Sequence, residues 1–487
     1  MKKERTKRRP NIIEAFSLIV VLLALVVYSV NIGININPAL AISVVWCMII
    51  AWRCGFSWSE IVEPIWDRLR GVIEIFLIIL AIGMFVAAMI FSGTIPTIIY
   101  YLITIVSPAS MIVLSFVITA IVSVIIGTSW GTVGTVGVIM IAIAQSMGVP
   151  LPIVAGAVAG GSHVGQLCSP MADTTNVAAG FARTDTMNMI KRMAHYTIPV
   201  IVLSTVGYLV LGFMYGSSSA DLASVDLIRH DIASVYNTNP LVILPMVLVF
   251  VLTFRKAPIL KTLVVSSLIA LVFGAVFNGF DIGSGLDAVY SGFNLESTLG
   301  IDPSGYSEIF LNLVNRGGAL DMVSAALIVI IATMFGTIMT ETKAINVIAE
   351  ALFSHVKSRP ALTASSVVVA GMVVGLTSSS FLAGMMPKDL FLKKFEDAGM
   401  DSLDLVSGAV SASTQYLTCI PWCDTAVFLT SVTGVSTIAA LPYNFFGWGC
   451  SVMAIILSFV GIGFKNGKRF VKLTPPQQDA EVEAAAE

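Results

Sequence analysis

Two short stretches carry the same polar pattern inside otherwise apolar sequence. Cys168-Ser169-Pro170-Met171-Ala172-Asp173-Thr174 and Cys419-Ile420-Pro421-Trp422-Cys423-Asp424-Thr425 share Cys, Pro, Asp and Thr at identical spacing. Proline has no N–H to donate, so in a helix each would release the carbonyl four residues back, here Gln166 and Leu417. A free carbonyl in a low-dielectric setting is costly unless something binds it. Hard cations take oxygen ligands: carboxylate, hydroxyl and carbonyl. Asp173, Thr174, Thr175 and Asn176 follow the first proline, and Asp424 and Thr425 follow the second. A carboxylate beside such a turn can hold a cation, or take a proton when the cation leaves. That competition is enough to couple the two movements. Helix N-capping by Asp173 and Asp424 is the plainer alternative, although an intramembrane carboxylate is a functional candidate by default.

Further candidates flank these motifs. His163 lies in the same segment as Gln166 and Ser169, with Gln415 as its repeat counterpart. It can titrate near neutral pH or serve as a hydrogen-bonded structural residue. GTSWGTVGTVG (127–137) contributes Thr128 and Ser129, and TSSS (377–380) contributes Ser378 and Ser379. Small residues there permit close packing and offer hydroxyls to a solute. The first stretch lacks the Lys of a phosphate loop, so nucleotide binding is not expected. Cys168, Cys419 and Cys423 could join His163 around a soft metal, as in an intramembrane metalloenzyme. No C-x-x-C pair is present, and cysteine is also a common small buried residue. Glu14, Glu74 and Asp321 are read as interfacial.

The composition dictates what must position these groups. Only 11% of the 487 residues are charged and 56% are AVILMFWYC, which excludes a soluble enzyme and a disordered chain. Apolar runs near 20 residues can span a bilayer. They fall at 12–30, 36–52, 71–92, 109–147, 150–180, 197–215, 239–254, 259–277, 317–340, 361–385, 403–432 and 443–464. With 109–147 and 361–397 as re-entrant hairpins and ten spans, 25 of the 27 Lys and Arg fall on one side. That places both termini in the cytoplasm of a multi-pass cell-membrane protein. Arg229 and Arg316 are the two outside, with eight acids in the loops 216–238 and 278–316.

The repeated motif extends further. IVAGAV (153–158) matches LVSGAV (405–410), and Met84-Phe85 parallels Met334-Phe335. Each half then holds five spans and a hairpin, and an odd count inverts the second half. The expected fold is an all-α polytopic membrane protein of about ten transmembrane helices, two hairpins and two broken helices, in two inverted repeats. Its parts are a basic cytoplasmic N-terminus (1–11), a first repeat (12–215), an extracytoplasmic linker (216–238), a second repeat (239–464) and a short polar cytoplasmic tail (465–487).

At GGSHVGQLCSPMADTTN (160–176) the chain resembles the NhaC-type sodium/proton antiporter family of the ion transporter superfamily. That family's first motif reads approximately GDxxSPLSDTT, and Ser169, Pro170, Asp173, Thr174 and Thr175 match it. Ile420, Pro421 and Trp422 match its IPWN-T stretch, and Glu396-Asp397 is similar to its EDSG. The resemblance covers most of the chain in order. It implies sodium exchange for protons, or exchange of small organic ions such as malate and lactate. It also implies an elevator mechanism, in which a transport domain moves against a scaffold, and frequent homodimers. Gln166 stands in place of the family's first Asp and Cys423 in place of its Asn. These departures bring an organic carboxylate or amino acid into contention as solute. Sodium, held by Asp173 and Asp424, is the metal expected, with the bilayer, protons and a small solute as partners. No other cofactor and no nucleic acid is expected.

Overall fold

The computed structural model describes residues 7–104, 106–215, 222–353, 356, 358–397, 400–459, 464–465 and 468–469. Most of the N-terminal basic segment, Asp221 and nearly all of the polar tail lie outside them. In chain order the helices are α1 (Ile12–Asn31), α2 (Asn37–Arg53), α3 (Trp58–Phe91), α4 (Thr94–Leu102), α5 (Pro108–Ile126) and α6 (Ser129–Thr132). A π turn leads from α6 into α7 (Val138–Ser146), followed by α8 (Leu151–Cys168), α9 (Asp173–Phe181) and α10 (Thr186–Tyr215). The second half opens with α11 (Leu222–Val235), α12 (Leu244–Phe254), α13 (Ile259–Asn278), α14 (Ile282–Ser291), α15 (Leu295–Leu299) and α16 (Glu308–Val314). It continues with α17 (Ala319–Glu341), α18 (Ala344–Phe353), α19 (Arg359–Thr377) and α20 (Ser380–Asp397). It ends with α21 (Ser402–Tyr416), α22 (Asp424–Thr433), α23 (Thr437–Ala440) and α24 (Phe445–Phe459). Among the described residues nine helices are long and apolar enough to cross a membrane, or eleven if each sharply bent pair is one span. The protein is all-α and polytopic. Large side chains on α1, α10 and α13 (Val27, Phe213, Val276) point outward, as a lipid-facing surface requires.

Repetition is visible in where elements begin. Helices α5 and α19 start at 108 and 359, α6 and α20 at 129 and 380, α8 and α21 at 151 and 402, and α9 and α22 at 173 and 424, each 251 apart. The repeat-related α3 and α17 pack antiparallel. Gly318, just before α17, donates its N–H to the Gly83 carbonyl late in α3 at 2.7 Å. Further along, Ile330 and Met334 line one groove with Ile73 and Leu69. A Cβ at Gly83 would sit 2.1 Å from the Gly318 oxygen, so the crossing depends on glycine. Antiparallel equivalents are what an inverted repeat produces.

Several boundaries differ from the hydropathy reading. Helix α3 starts at Trp58, held by a Ser57–Glu60 capping box, because an amphipathic stretch carries the helix beyond its apolar window. Glu74 therefore sits mid-helix, where this amphipathic stretch gives way to the apolar one. The legs of the first hairpin are 19 and 18 residues. At 1.5 Å per residue each is about 28 Å, full crossing length. The linker 216–238 contains α11, and the loop 278–316 contains α14 to α16. These helices are short and packed on one face, a weak signal in a window built to find spans. Asp231 shows how they hold: it is buried and accepts from the Ser307 N–H at 3.1 Å and hydroxyl at 2.6 Å.

The halves are joined by charge at one end of the bundle. Arg192 on α10 is 5% exposed and pairs with Asp404 on α21 at 2.6 Å and Asp401 at 3.8 Å. Removing one member of such a buried pair costs about 3–5 kcal/mol, since the other charge is left desolvated. Glu14, read as interfacial, is ion-paired in the first turn of α1. Arg8 grips it with two bonds at 2.6 and 2.7 Å.

Candidate functional site

The two helix breaks fall where the prolines require. Helix α8 ends at Cys168 and α9 begins at Asp173; α21 ends at Tyr416 and α22 begins at Asp424. The N-caps are Ala172 and Cys423, without side-chain cap bonds. Asp173 and Asp424 are thus first helical residues rather than caps, each beside a positive helix end.

Both hairpin tips turn through left-handed backbone. Gly127 has φ +82°, and Ser378, its repeat equivalent, has φ +52°. The residues after these turns reach the breaks. A cavity of about 300 Å³ is lined from the hairpins by Thr128, Ser129, Trp130 and Ser380. The broken helices add His163, Gln166, Thr174, Thr414, Leu417, Asp424 and Thr425, and α3 adds Glu74. Asp424 Oδ1 accepts from the Thr425 N–H at 2.6 Å and hydroxyl at 3.1 Å. No Lys, Arg or His pairs with it among the described residues. The carboxylate is left with hydroxyls and a helix N-terminus for company.

The first break is tied shut. The Gln166 carbonyl, freed by Pro170, accepts from the hydroxyls of Thr174 at 2.8 Å and Thr175 at 2.7 Å. Its side chain accepts from Thr174 at 2.6 Å and donates to Ser129 at 3.0 Å. At the second break Leu417 lines the cavity, and no described donor reaches its carbonyl. His163 is 1% exposed, with Nδ1 3.0 Å from the Ala159 carbonyl. A carbonyl only accepts, so Nδ1 carries the proton and Nε2 is the ring's accepting atom.

Asp173 is placed apart from Asp424. It is exposed and lines an adjoining cavity of about 200 Å³ with Val177, Phe181, Phe381 and Val410. Thr174, Ser380 and Thr414 line both cavities. Asn176 faces outward and bonds Pro170 and Thr186. The Ser169 hydroxyl accepts from the Met171 N–H within the turn. Ser378 and Ser379 build the second tip, where the Ser379 hydroxyl accepts from Leu382 N–H at 3.2 Å; neither lines the cavities, and Ser380 does. Gln415 is fully buried, and neither amide atom has a partner among the described residues.

Each of the three candidate cysteines has a non-cysteine partner. Cys168 is 3.6 Å from the Thr197 hydroxyl, Cys423 donates to the Val374 carbonyl at 3.5 Å, and Cys419 approaches Thr418 and Asn444. Among the described residues no three His, Cys, Asp or Glu side chains gather as a metal set. Trp130, Ser380 and Thr414 line the Asp424 cavity without having been singled out in the sequence, and Glu74, read there as interfacial, lines it too.

A polar cavity at paired helix breaks, inside a bundle of spanning helices, defines a membrane transporter. The sequence pattern of the Na+/H+ antiporter family matches residues 9–175 and 163–462, and the chain belongs to that family. It is similar to the malate-2H(+)/Na(+)-lactate antiporter of Bacillus subtilis (strain 168), at 28% identity over 93% of this chain and 96% of that protein. The Na(+)/H(+) antiporter NhaC of Alkalihalophilus pseudofirmus is 28% identical over 92% of this chain and 95% of its own length. The arginine/ornithine antiporter ArcD of Halobacterium salinarum is 28% identical over 84% and 83%.

Proposed function

We propose that this protein exchanges sodium for protons by alternating access, with Asp424 as the carboxylate the two ions share. One observation carries this reading: Asp424 faces a polar cavity at a helix break with no cationic partner among the described residues. Sodium needs several oxygen ligands, and the Asp424 carboxylate, the Leu417 carbonyl and the Ser380, Thr414 and Thr425 hydroxyls are of the right kind. A proton on the carboxylate removes its charge and releases the sodium. Exchange follows because the site crosses loaded with one ion or the other.

The moving body is assigned to the hairpins and broken helices, α5–α9 and α19–α22, within the repeat units 12–215 and 239–464. The antiparallel α3–α17 pair belongs to the scaffold. Charge placement supports cytoplasmic termini in the cell membrane, and the family resemblance supports a homodimer. The test uses purified protein in proteoliposomes with a pH-sensitive dye. Sodium or lithium gradients should drive proton movement, and Asp424→Asn should stop it. Failure of both ions to move protons would sink the reading.

A second reading is favoured by the cavity at Asp173, whose walls are largely apolar. Such a space suits a small organic solute, and relatives are named for malate, lactate, arginine and ornithine. Stabilisation by a panel of carboxylates and amino acids separates the two. A solute-dependent thermal shift lost in Asp173→Asn would favour this second reading.

A further inference from the structure

Arg316 has no acidic partner among the described residues. It stands at the entry to α17, next to Gly317 and Gly318, whose φ angles are +89° and +95°. This joint is pinned to α3 by the Gly318–Gly83 hydrogen bond. From it the guanidinium reaches two other elements at once. Nη1 donates to Gln145 Oε1 at 3.2 Å, and Nη2 donates to the Val432 carbonyl at 3.4 Å. Gln145 is in the last turn of α7 and Val432 in the last turn of α22.

Those are the far ends of the two segments that line the Asp424 cavity with their near ends. Ser129 opens α6, which runs through the π turn into α7; Asp424 opens α22. Near the cavity the segments are stacked through Trp130 and Phe428, with ring centroids 4.4 Å apart and planes at 20°. At their distal ends Arg316 joins them. The planar fork of arginine meets two acceptors in a fixed geometry, which an ammonium cannot reproduce. Its charge also sits at the negative end of α22.

The repeat sharpens the point. Position 181 is the equivalent of 432, and the Phe181 carbonyl is likewise met by a cation, Lys388, at 2.8 Å. Lys388 lies on α20, within the assigned moving body, whereas Arg316 extends from the α3–α17 joint. The same helix-end requirement is met from inside the body in one half and from the scaffold in the other.

We infer that Arg316 is a positioning residue for the ion site: in the conformation of this structure it fixes the far ends of α22 and α7 relative to each other, and so sets the geometry at Asp424. This rests on the proposed role of Asp424. The experiment measures sodium KM and kcat in proteoliposomes for wild type, Arg316→Gln, Arg316→Lys and Gln145→Leu. Arg316→Gln should raise KM by ~10-fold or more while kcat changes less than ~3-fold. Arg316→Lys should recover part of the KM, and Gln145→Leu should raise it about 3-fold. An unchanged KM in a monodisperse Arg316→Gln protein overturns the inference. If that variant does not fold, Gln145→Leu decides alone, and an unchanged KM there overturns it. If the wild type moves no sodium, the functional reading fails, and amide exchange across 424–433 then tests the inference separately. Faster exchange in Arg316→Gln supports it, and unchanged exchange overturns it.

Discussion

At the first helix break the Gln166 carbonyl receives two threonine hydroxyls; at the second, the Leu417 carbonyl receives no described donor. The backbones break at equivalent places, 251 residues apart, so the difference comes from side chains. Thr175 is replaced at the equivalent position by Ala426, and the Gln166 amide by the Leu417 alkyl chain. Thr425, equivalent to Thr174, turns its hydroxyl to Asp424 instead. One break is internally satisfied, and the other leaves the Leu417 carbonyl without a described donor and the Asp424 carboxylate without a described cationic partner. Related sequence at two sites therefore does not imply two equal ion sites.

The comparison breaks most directly at the acids. Asp424→Asn should reduce sodium-driven proton flux by at least ~100-fold, more than about 2.7 kcal/mol of barrier, while Asp173→Asn keeps measurable sodium exchange. Equal losses from both would make the two breaks equivalent as ion sites. A titration gives the next effect. On the proposed role of Asp424, protons and sodium compete for one carboxylate, so sodium KM should rise as pH falls, by up to ~10-fold per unit below the carboxylate's own titration. A flat KM across that range would remove Asp424 as the shared ligand.

A graft tests the side-chain explanation. Ala426→Thr gives the second break the hydroxyl the first one has, and should weaken sodium binding ~5- to 10-fold by offering the Leu417 carbonyl a donor. Sodium-dependent thermal stabilisation reads this directly. The reverse change, Thr174→Val with Thr175→Val, strips the first break. It should cost about 1–3 kcal/mol of stability by leaving the Gln166 carbonyl unsatisfied. A melting temperature equal to wild type would mean another group takes that carbonyl over.

Much of this arrangement was legible in the residues. The prolines marked both breaks and named both released carbonyls, and the Gly127 tip turned where the Gly/Thr run placed it. What escaped reading depended on neighbours or on single-residue register. Ser380 rather than Ser378 or Ser379 faces the cavity, because Ser378 takes the left-handed turn and Ser379 caps the next helix. Asp173 and Asp424 match in motif but face different cavities, which only the packing of α20 and α21 decides. Arg316 appeared in the charge pattern as a stray cation outside; its two acceptors come from segments 171 and 116 residues away.

The Arg192–Asp404 pair has a consequence for biosynthesis. Its members are 212 residues apart, and ribosomes add about 5–20 residues each second. Arg192 therefore waits on the order of 10–40 s before its counter-ion is made. Throughout that interval the N-terminal half lacks both acids, Asp401 and Asp404, that close on Arg192 in the finished fold. The two halves close on each other through this pair only when the C-terminal half arrives.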